Sequence, residues 1–304
     1  MHLLALLLNP AILGILALFL SVFWMLKDES DRTRPLLVMA LTLNLFFGFL
    51  LHVYISKEGS LLPLKYDDVL FRVDASLGVS AAAVALPLQG AWRIPLLVVY
   101  QLLLPMMILW FLVTQYRNSR GSVVLAYIAE LVAGPVLYAL LPACGPAYAF
   151  GAQWLHPPAV EASAIRLSGM PNAFPSLHVA TALVLVFFAR GKVWKAVALA
   201  FLAGTCLATL STGEHYVIDL VSGLAFGCFA ASVGRRKTRS ALLFLGVALC
   251  WSLAIRFQSP FLIAHPGLLR GCAALTVALA VLAAGKEWSV AATGAEAPAN
   301  TPLE

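Results

Sequence analysis

The stretch from Pro171 to Asp219, PNAFPSLHVATALVLVFFARGKVWKAVALAFLAGTCLATLSTGEHYVID, decides the fold of this chain. Two of its apolar runs begin near a histidine, His178 in one and His215 in the other. Asp219 follows His215 by four residues, and a helix places positions i and i+4 on one face. The stretch therefore predicts two His side chains and one Asp side chain clustered at one water interface.

The composition places the chain in a membrane. Of its 304 residues, 62% are hydrophobic and 11% are charged, and the mean hydropathy is +0.91. Apolar runs of about 17 to 25 residues recur, which is the length that crosses a bilayer as a helix. We expect an all-α, polytopic integral membrane bundle of about nine transmembrane helices, over residues 3–26, 35–56, 91–116, 122–141, 172–189, 193–211, 215–233, 241–257 and 268–284.

The cations of the chain support this division into spans. A net charge of +6 would also suit a nucleic-acid partner, but the Lys and Arg residues stand in short clusters between apolar runs. Every tight cluster, such as Arg235–Lys237, falls on the same side of the nine-span arrangement, so that side should be cytoplasmic. The N-terminus is then outside and the C-terminus inside, and both histidines lie on the extracytoplasmic face.

The segment between the second and third spans is too polar to cross a membrane. Its centre, residues 65–78 (KYDDVLFRVDASLG), has apolar residues at helical spacing and charged residues on much of the remaining surface. We expect an amphipathic helix lying on the outer membrane surface. A solvated cap and a lid that guides a lipid substrate are both open interpretations.

The chain divides into four predicted parts. Residues 1–90 form two spans and the interfacial helix, 91–235 the catalytic core, 236–286 two further spans, and 287–304 a disordered tail low in bulky apolar residues. The five cysteines lack the spacing of a metal site or a disulfide framework. We expect no metal and no cofactor.

The predicted cluster permits phosphoryl transfer. A neutral histidine beside a carboxylate is a good nucleophile, which assigns His215 as the nucleophile and Asp219 as the group that orients it. His178 can then act as the general acid and base. Two unrelated interfacial histidines are the alternative interpretation.

Further side chains are candidates for substrate binding. Ser176 lies at the start of the helix that carries His178, where backbone N–H groups bind anions. Glu130 lies near mid-membrane in the fourth span, where an ionisable group indicates either a functional site or a hydrogen bond to another helix. The remaining candidates lie in the loop after that span or beside His215: Tyr148, Arg166 and Tyr216.

At these residues the sequence resembles the type 2 phosphatidic acid phosphatase (PAP2) superfamily. Phe174–His178 is similar to its second motif, with Leu177 where many members have Gly, and Thr212–Asp219 is similar to its third. Gly145–Tyr148 looks like a remnant of the first motif. The resemblance covers roughly residues 120–233. It implies a core of six helices, a phosphohistidine mechanism without a metal, an extracytoplasmic site and the roles given above to His178, His215 and Asp219.

The chain departs from the family pattern in its cations. The first motif of the superfamily normally contains a Lys and an Arg, and the third an Arg six residues before the histidine. Here that last position is Thr209, and the loop of residues 142–173 offers only Arg166. A phosphomonoester dianion usually requires several cations, whereas a phosphodiester carries one charge and requires fewer.

The pattern therefore resembles most the branch that contains inositol phosphorylceramide and sphingomyelin synthases. The resemblance implies transfer of a phospho-head-group, such as phosphoinositol or another phospho-alcohol, from a phospholipid to a lipid alcohol within the bilayer. Two alternatives stay open. One is a lipid phosphatase that hydrolyses phosphatidate or a polyprenyl (di)phosphate, and the other is a lipid transporter without chemistry.

Overall fold

The protein is described from a computed structural model over residues 61–62, 64–103, 105–107, 109–110, 122–156, 165–166 and 170–292. The first two predicted spans, 3–26 and 35–56, lie outside these residues. The described chain is helical apart from one short antiparallel pair of strands. Its elements are β1 (Leu64–Lys65), α1 (Asp67–Leu77), α2 (Ala81–Ala85), α3 (Arg93–Gln101), α4 (Val123–Leu140), α5 (Pro146–Phe150), β2 (Ile165–Arg166), α6 (Leu177–Phe188), α7 (Gly191–Ser211), α8 (Val217–Gly234), α9 (Thr238–Ala264) and α10 (Pro266–Ala292).

Five helices of the described chain, α4, α7, α8, α9 and α10, are long and apolar enough to cross a membrane. A sixth span is possible if α1 and the helical segment Ala81–Leu88, which meet at 70°, count as one. The prediction of an all-α membrane bundle is confirmed, and the number of nine spans stays a prediction.

The predicted span 172–189 is shorter than expected. Its helix, α6, has 12 residues and rises about 18 Å, well short of the roughly 30 Å hydrocarbon core. All residues from Val179 to Phe188 are buried by the surrounding helices. Within the described chain the hydrophobic pattern of α6 therefore reflects burial among helices, and the predicted span 172–189 stays a prediction.

Helix α8 lies at the centre of the bundle and packs against α4, α6, α9 and α10. Gly223 and Gly227 allow α6 to approach it closely. A Cβ at Gly223 would lie 2.6 Å from the carbonyl oxygen of Ser176, and a Cβ at Gly227 would lie 2.7 Å from that of Ala180. Small residues four apart permit such backbone contact between membrane helices. The start of α6 is thereby held against the first turns of α8.

The histidines and the cation clusters lie at opposite ends of the bundle. His178 lies at the start of α6, and His215 lies between the end of α7 and the start of α8. At the other end, Arg235 bonds both the carbonyl oxygen of Phe187 and the carboxylate of Glu287. The end of the bundle that carries the histidines is called the histidine end below. Its orientation in the membrane stays a prediction from the cation distribution.

The segment predicted as an interfacial helix differs from the expectation in one respect. The helix exists, as α1, at the histidine end, but Asp67, Asp68 and Asp74 are all buried. The prediction of a charged face exposed to solvent is wrong, because Asp67 and Asp74 bond backbone N–H groups of neighbouring loops and helices. Helix α1 therefore packs into the protein against α5, α8, α9 and α10.

The beginning of the predicted tail is also different. Helix α10 continues to Ala292, although disorder was predicted from residue 287. Glu287, at the start of the predicted tail, forms ion pairs with Arg235 and Lys237. These ion pairs hold this part of α10 against the end of α8. Residues 293–304 lie outside the described chain.

Candidate active site

The structure brings together the two histidines that the sequence predicts as neighbours. The Nε2 atom of His215 lies 3.5 Å from the Nδ1 atom of His178. Their ring centroids are 5.6 Å apart, and the rings meet edge to face at 68°. His178 is the second residue of α6, and His215 lies in the extended segment before α8, so the approach depends on the contact of these two helices.

A backbone carbonyl fixes the tautomer of His215. Its Nδ1 atom lies 2.8 Å from the carbonyl oxygen of Ala173, so Nδ1 carries the proton and donates it to that oxygen. Nε2 then keeps its lone pair and points towards His178. Burial lowers the pKa of His215 to about 4, against the opposing effects of the Ala173 carbonyl and the Glu214 carboxylate. The imidazole is therefore neutral and nucleophilic at neutral pH.

Asp219 lies beside His215, but its main hydrogen bond goes elsewhere. The distance from its Oδ2 to the Nδ1 atom of His215 is 3.5 Å, longer than an ordinary N–H···O bond. The same oxygen accepts the backbone N–H of Tyr216 at 2.7 Å and so caps α8. Because His215 precedes the helix, the i to i+4 geometry that was predicted is only approximate. Ala173 supplies the hydrogen bond to Nδ1 of His215, and the orienting role of Asp219 stays a prediction.

Ser176 connects the two helices that carry the histidines. It is the N-cap of α6, where its Oγ accepts the N–H of Val179 at 3.4 Å, and its own N–H donates to the carbonyl oxygen of Asp219 at 3.0 Å. The side chain is fully buried. Substrate binding by Ser176 stays a prediction, and its described bonds hold the start of α6 on the start of α8.

Two acids of α1, Asp67 and Asp74, hold the loops around His215, and we call this pair the carboxylate clamp. Asp74 accepts the N–H groups of Val217 at 2.7 Å and Ile218 at 2.9 Å, the first two residues of α8. Asp67 accepts the N–H of Gly145 at 2.8 Å. The sequence analysis placed these acids in solvent, although their seven-residue spacing does put them on one helix face.

Tyr216 is part of this arrangement. Its ring is buried, and its hydroxyl donates to Asp67 at 3.2 Å. Among the described contacts it therefore serves the clamp, and a direct role in binding substrate stays a prediction.

The loop Gly145–Tyr148 packs against the segment that carries His215. Gly145 has a φ of +93°, and a Cβ there would lie 2.3 Å from the carbonyl oxygen of Glu214, so only glycine fits. The N–H of Ala147 donates to the carbonyl oxygen of Gly213 at 2.9 Å. Tyr148 is exposed, and its hydroxyl donates to the Oε1 atom of Glu214 at 3.1 Å. The three motif regions of the sequence thus meet at one place.

Tyr100 on α3 is a site residue that the sequence analysis missed. Its ring stacks on the imidazole of His178, with centroids 4.4 Å apart and planes inclined by 26°. Nothing in the local sequence distinguishes this tyrosine. Within the described chain, the stacked and hydrogen-bonded neighbours of the two imidazoles also include Ala173 and Asp219, and none of the three is a cation.

The remaining candidates lie at the edge of this cluster. Glu130 is buried and accepts the hydroxyl of Thr181 at 2.8 Å, which links α4 to α6 one turn beyond His178. This is the hydrogen bond between helices that was one of its two interpretations. The backbone of Arg166 pairs with that of Leu64 in the two-stranded sheet, and its side chain lies outside the described structure.

Comparison with known protein families identifies the family of the chain. The family model described as the PAP2 superfamily matches residues 68–233, more than half of the chain. No curated protein and no solved structure matches the chain significantly. The matched region contains both histidines, Asp219 and most of α1. The chain is a membrane protein that belongs to the PAP2 superfamily, with the phosphatase or phosphotransferase type of activity of that superfamily.

Proposed function

We propose that the protein transfers a phospho-head-group from a phospholipid diester to a lipid alcohol, at the extracytoplasmic face of its membrane and without a metal. The observation that carries this proposal is the geometry of His215. Its Nδ1–H donates to the carbonyl oxygen of Ala173, and its Nε2, which carries no proton, faces Nδ1 of His178 at 3.5 Å. A nucleophile and a proton carrier are thus adjacent, as phosphoryl transfer through a histidine requires.

In the first step, Nε2 of His215 attacks phosphorus and a phosphorus–nitrogen bond forms. The bond between phosphorus and the diacylglycerol oxygen breaks, its electron pair stays on that oxygen, and protonated His178 supplies the proton. The phosphorylated imidazole is a cation. The Ala173 carbonyl at 2.8 Å and the Asp219 carboxylate at 3.5 Å stabilise it.

In the second step, the hydroxyl of the acceptor lipid gives its proton to His178 and its oxygen attacks phosphorus. The phosphorus–nitrogen bond breaks, and its electron pair returns to Nε2 of His215. Both steps use Nε2 of His215 as the nucleophile or leaving group and the imidazole of His178 as the proton carrier. One site can therefore serve the donor lipid and then the acceptor lipid.

The charges around the histidines favour a diester as donor. The described neighbours of the two imidazoles are neutral or acidic, and Glu214 lies directly beside His215. A phosphomonoester dianion would meet this negative charge without the cation clamp that usually stabilises it. A diester carries one negative charge and a leaving group that His178 can protonate.

Hydrolysis of phosphatidate or of a polyprenyl (di)phosphate is the second candidate. The strand pairing favours hydrolysis. Arg166 pairs with Leu64, and Lys65 follows Leu64, so the two strands bring two cationic residues close together. Lys65 is buried and donates to the carbonyl oxygen of Leu62. The two candidates differ in their products.

Product analysis with the purified full chain in mixed micelles tests the proposal. Phosphatidylinositol labelled in its phosphate and phosphatidate labelled likewise are supplied with ceramide, or with a diacylglycerol whose acyl chains differ from those of the donor, as acceptor. A new labelled lipid supports transfer, and free phosphate from phosphatidate supports hydrolysis. We expect His178→Ala and His215→Ala to abolish either activity, with the exposed His265→Ala as the matched control. Turnover at the wild-type rate in His215→Ala would overturn the assignment.

A further inference from the structure

The imidazole of His178 contacts two aromatic side chains, one at its ring face and one at its Nδ1 edge. One ring face lies on the phenol ring of Tyr100, at 4.4 Å between centroids, while its Nδ1 edge faces His215 at 3.5 Å. An aromatic face attracts a cation, and the attraction is stronger where water is excluded. Burial and the neighbouring His215 lower the pKa of His178. The stack on Tyr100 acts in the opposite direction, because it favours the charged form of the ring.

The position of Tyr100 is set by the packing of its helix. Val99, the preceding residue, lies against Gly204 of α7, where a Cβ on the glycine would be 3.2 Å from the Cγ1 atom of Val99. This close approach of α3 and α7 leaves Tyr100 directed at α6. Helix α3 also packs on α7 along its length, so the ring is supported by two elements.

The titratable groups around His178 come from several elements. Tyr100 faces it from α3 and His215 from the segment before α8, with Glu214 and Asp219 next to His215. On the α4 side, Glu130 reaches α6 through Thr181. Of these groups, Tyr100 stacks on the ring face, where it can act on the imidazole without competing for a ring nitrogen.

We propose that Tyr100 is the positioning residue of the reaction: its ring holds the imidazole of His178 in place and stabilises the protonated form that donates to the leaving group. This rests on the role proposed above for His178. The protonated imidazole carries its charge across the whole ring, so stacking against the face of Tyr100 stabilises it without an additional hydrogen bond.

The stack also explains how substrate enters. A separation of 3.5 Å between the two nitrogen atoms leaves no room for phosphorus on the line that joins them. His178 must move away from His215, or phosphorus must bind beside that line. Because the two ring planes are inclined by only 26°, the imidazole can shift over the phenol ring and keep part of the contact. Tyr100 thus continues to stabilise His178 over a short displacement.

The test is a direct measurement of the pKa of His178. Full-length protein with ¹⁵N-labelled histidine, in detergent micelles with inorganic phosphate, is titrated by NMR, and the His178 signal is assigned from its loss in His178→Gln. We expect Tyr100→Leu to lower this pKa by about one unit. We expect Tyr100→Phe, the matched control that keeps the ring, to leave it within a few tenths of a unit. If Tyr100→Leu does not fold, Tyr100→Met replaces it with the same expectation.

The outcomes separate this inference from the proposed function. An unchanged pKa in Tyr100→Leu, or an equal fall in Tyr100→Phe, overturns the role of the ring whatever the protein transfers. A fall in Tyr100→Leu alone supports it. The alkaline limb of the pH profile of lipid transfer should then shift to lower pH in that variant. Failure of His178→Ala to affect lipid turnover would overturn the proposed chemistry, while the pKa measurement would still report on the stack.

Discussion

The carboxylate of Asp74 accepts a hydrogen bond of 2.7 Å from the backbone N–H of Val217, the first residue of α8. The N-terminal N–H groups of a helix have no partner within the helix, and the positive end of its dipole favours an anion there. Asp74 also accepts from Ile218, so one side chain satisfies two of these groups. The residue before this pair is Tyr216, and His215 precedes it directly.

Asp74→Asn should lower both stability and activity. The amide keeps one acceptor oxygen for two N–H groups and removes the charge, and hydrogen bonds to charged groups contribute about 1.5 to 3 kcal/mol each. We expect thermal unfolding in detergent to show a loss of roughly 2 to 4 kcal/mol, together with slower lipid turnover. Ala75→Asn, an exposed neighbour on the same helix, is the control and should change little. Wild-type turnover in Asp74→Asn would show that the clamp does not position His215.

Gly145→Ala should disrupt the site more than an equivalent change elsewhere. Its Cβ would lie 2.3 Å from the carbonyl oxygen of Glu214, so the loop or the segment before His215 must shift. Gly151→Ala is a matched control, because Gly151 also has a positive φ but no atom within 4 Å of such a Cβ. Backbone strain alone costs about 1 to 2 kcal/mol, which both variants share. Turnover should fall at least tenfold further in Gly145→Ala, and equal rates in the two variants would contradict this packing.

Gly227→Ala tests whether the contact of α6 with α8 brings the histidines together. The new methyl group would lie 2.7 Å from the carbonyl oxygen of Ala180, one backbone against another, so the helices must separate. We expect turnover to fall while the protein remains helical by circular dichroism. Gly246→Ala on α9 faces open space and, as a helix interior substitution, should be neutral or stabilise by up to about 1 kcal/mol. An active Gly227→Ala protein would mean that the site tolerates a wider separation.

The acid stability of the protein should depend on His215. Its pKa is about 4 in the folded protein, and an unfolded chain binds the proton near pH 6.5. Between these values the unfolded state holds more protons, so the contribution of His215 is fully present above pH 6.5 and falls as the pH is lowered towards 4. The loss is on the order of 3 kcal/mol. His215→Gln should flatten the dependence of the unfolding temperature on pH between 6.5 and 4. An unchanged slope would mean that this imidazole is not held neutral.

The cation distribution predicts that the histidine end faces away from the cytoplasm. An alkaline phosphatase reporter inserted after residue 156 should therefore be active in a bacterial host, and a fluorescent protein fused to the C-terminus should mature in the cytoplasm. The reciprocal pair of fusions is the control and should be inactive. A reversed pattern would place the active site on the cytoplasmic face and overturn the predicted topology.

Much of the candidate site was accessible from local sequence. His178 and His215 each open an apolar run, and between them the chain passes along the bundle twice, away from the histidine end in α6 and back in α7, so both histidines lie at one end. The break at Ser211–Gly213 marked the turn before His215. A hydrophobic run does not reveal whether lipid or protein surrounds it, so the burial of α6 by neighbouring helices was not accessible from the local sequence.

The sequence by itself determined the membrane class, the family and the pair of histidines, because these depend on composition, on the lengths of apolar runs and on residues close together in the chain. Only the tertiary structure decided that the carbonyl oxygen of Ala173 accepts the Nδ1–H of His215, that the ring of Tyr100 stacks on His178 and that the acids of α1 are buried. Each of these contacts joins segments separated by many residues. Their partners are backbone atoms or ring faces, and such groups carry no pattern in the sequence.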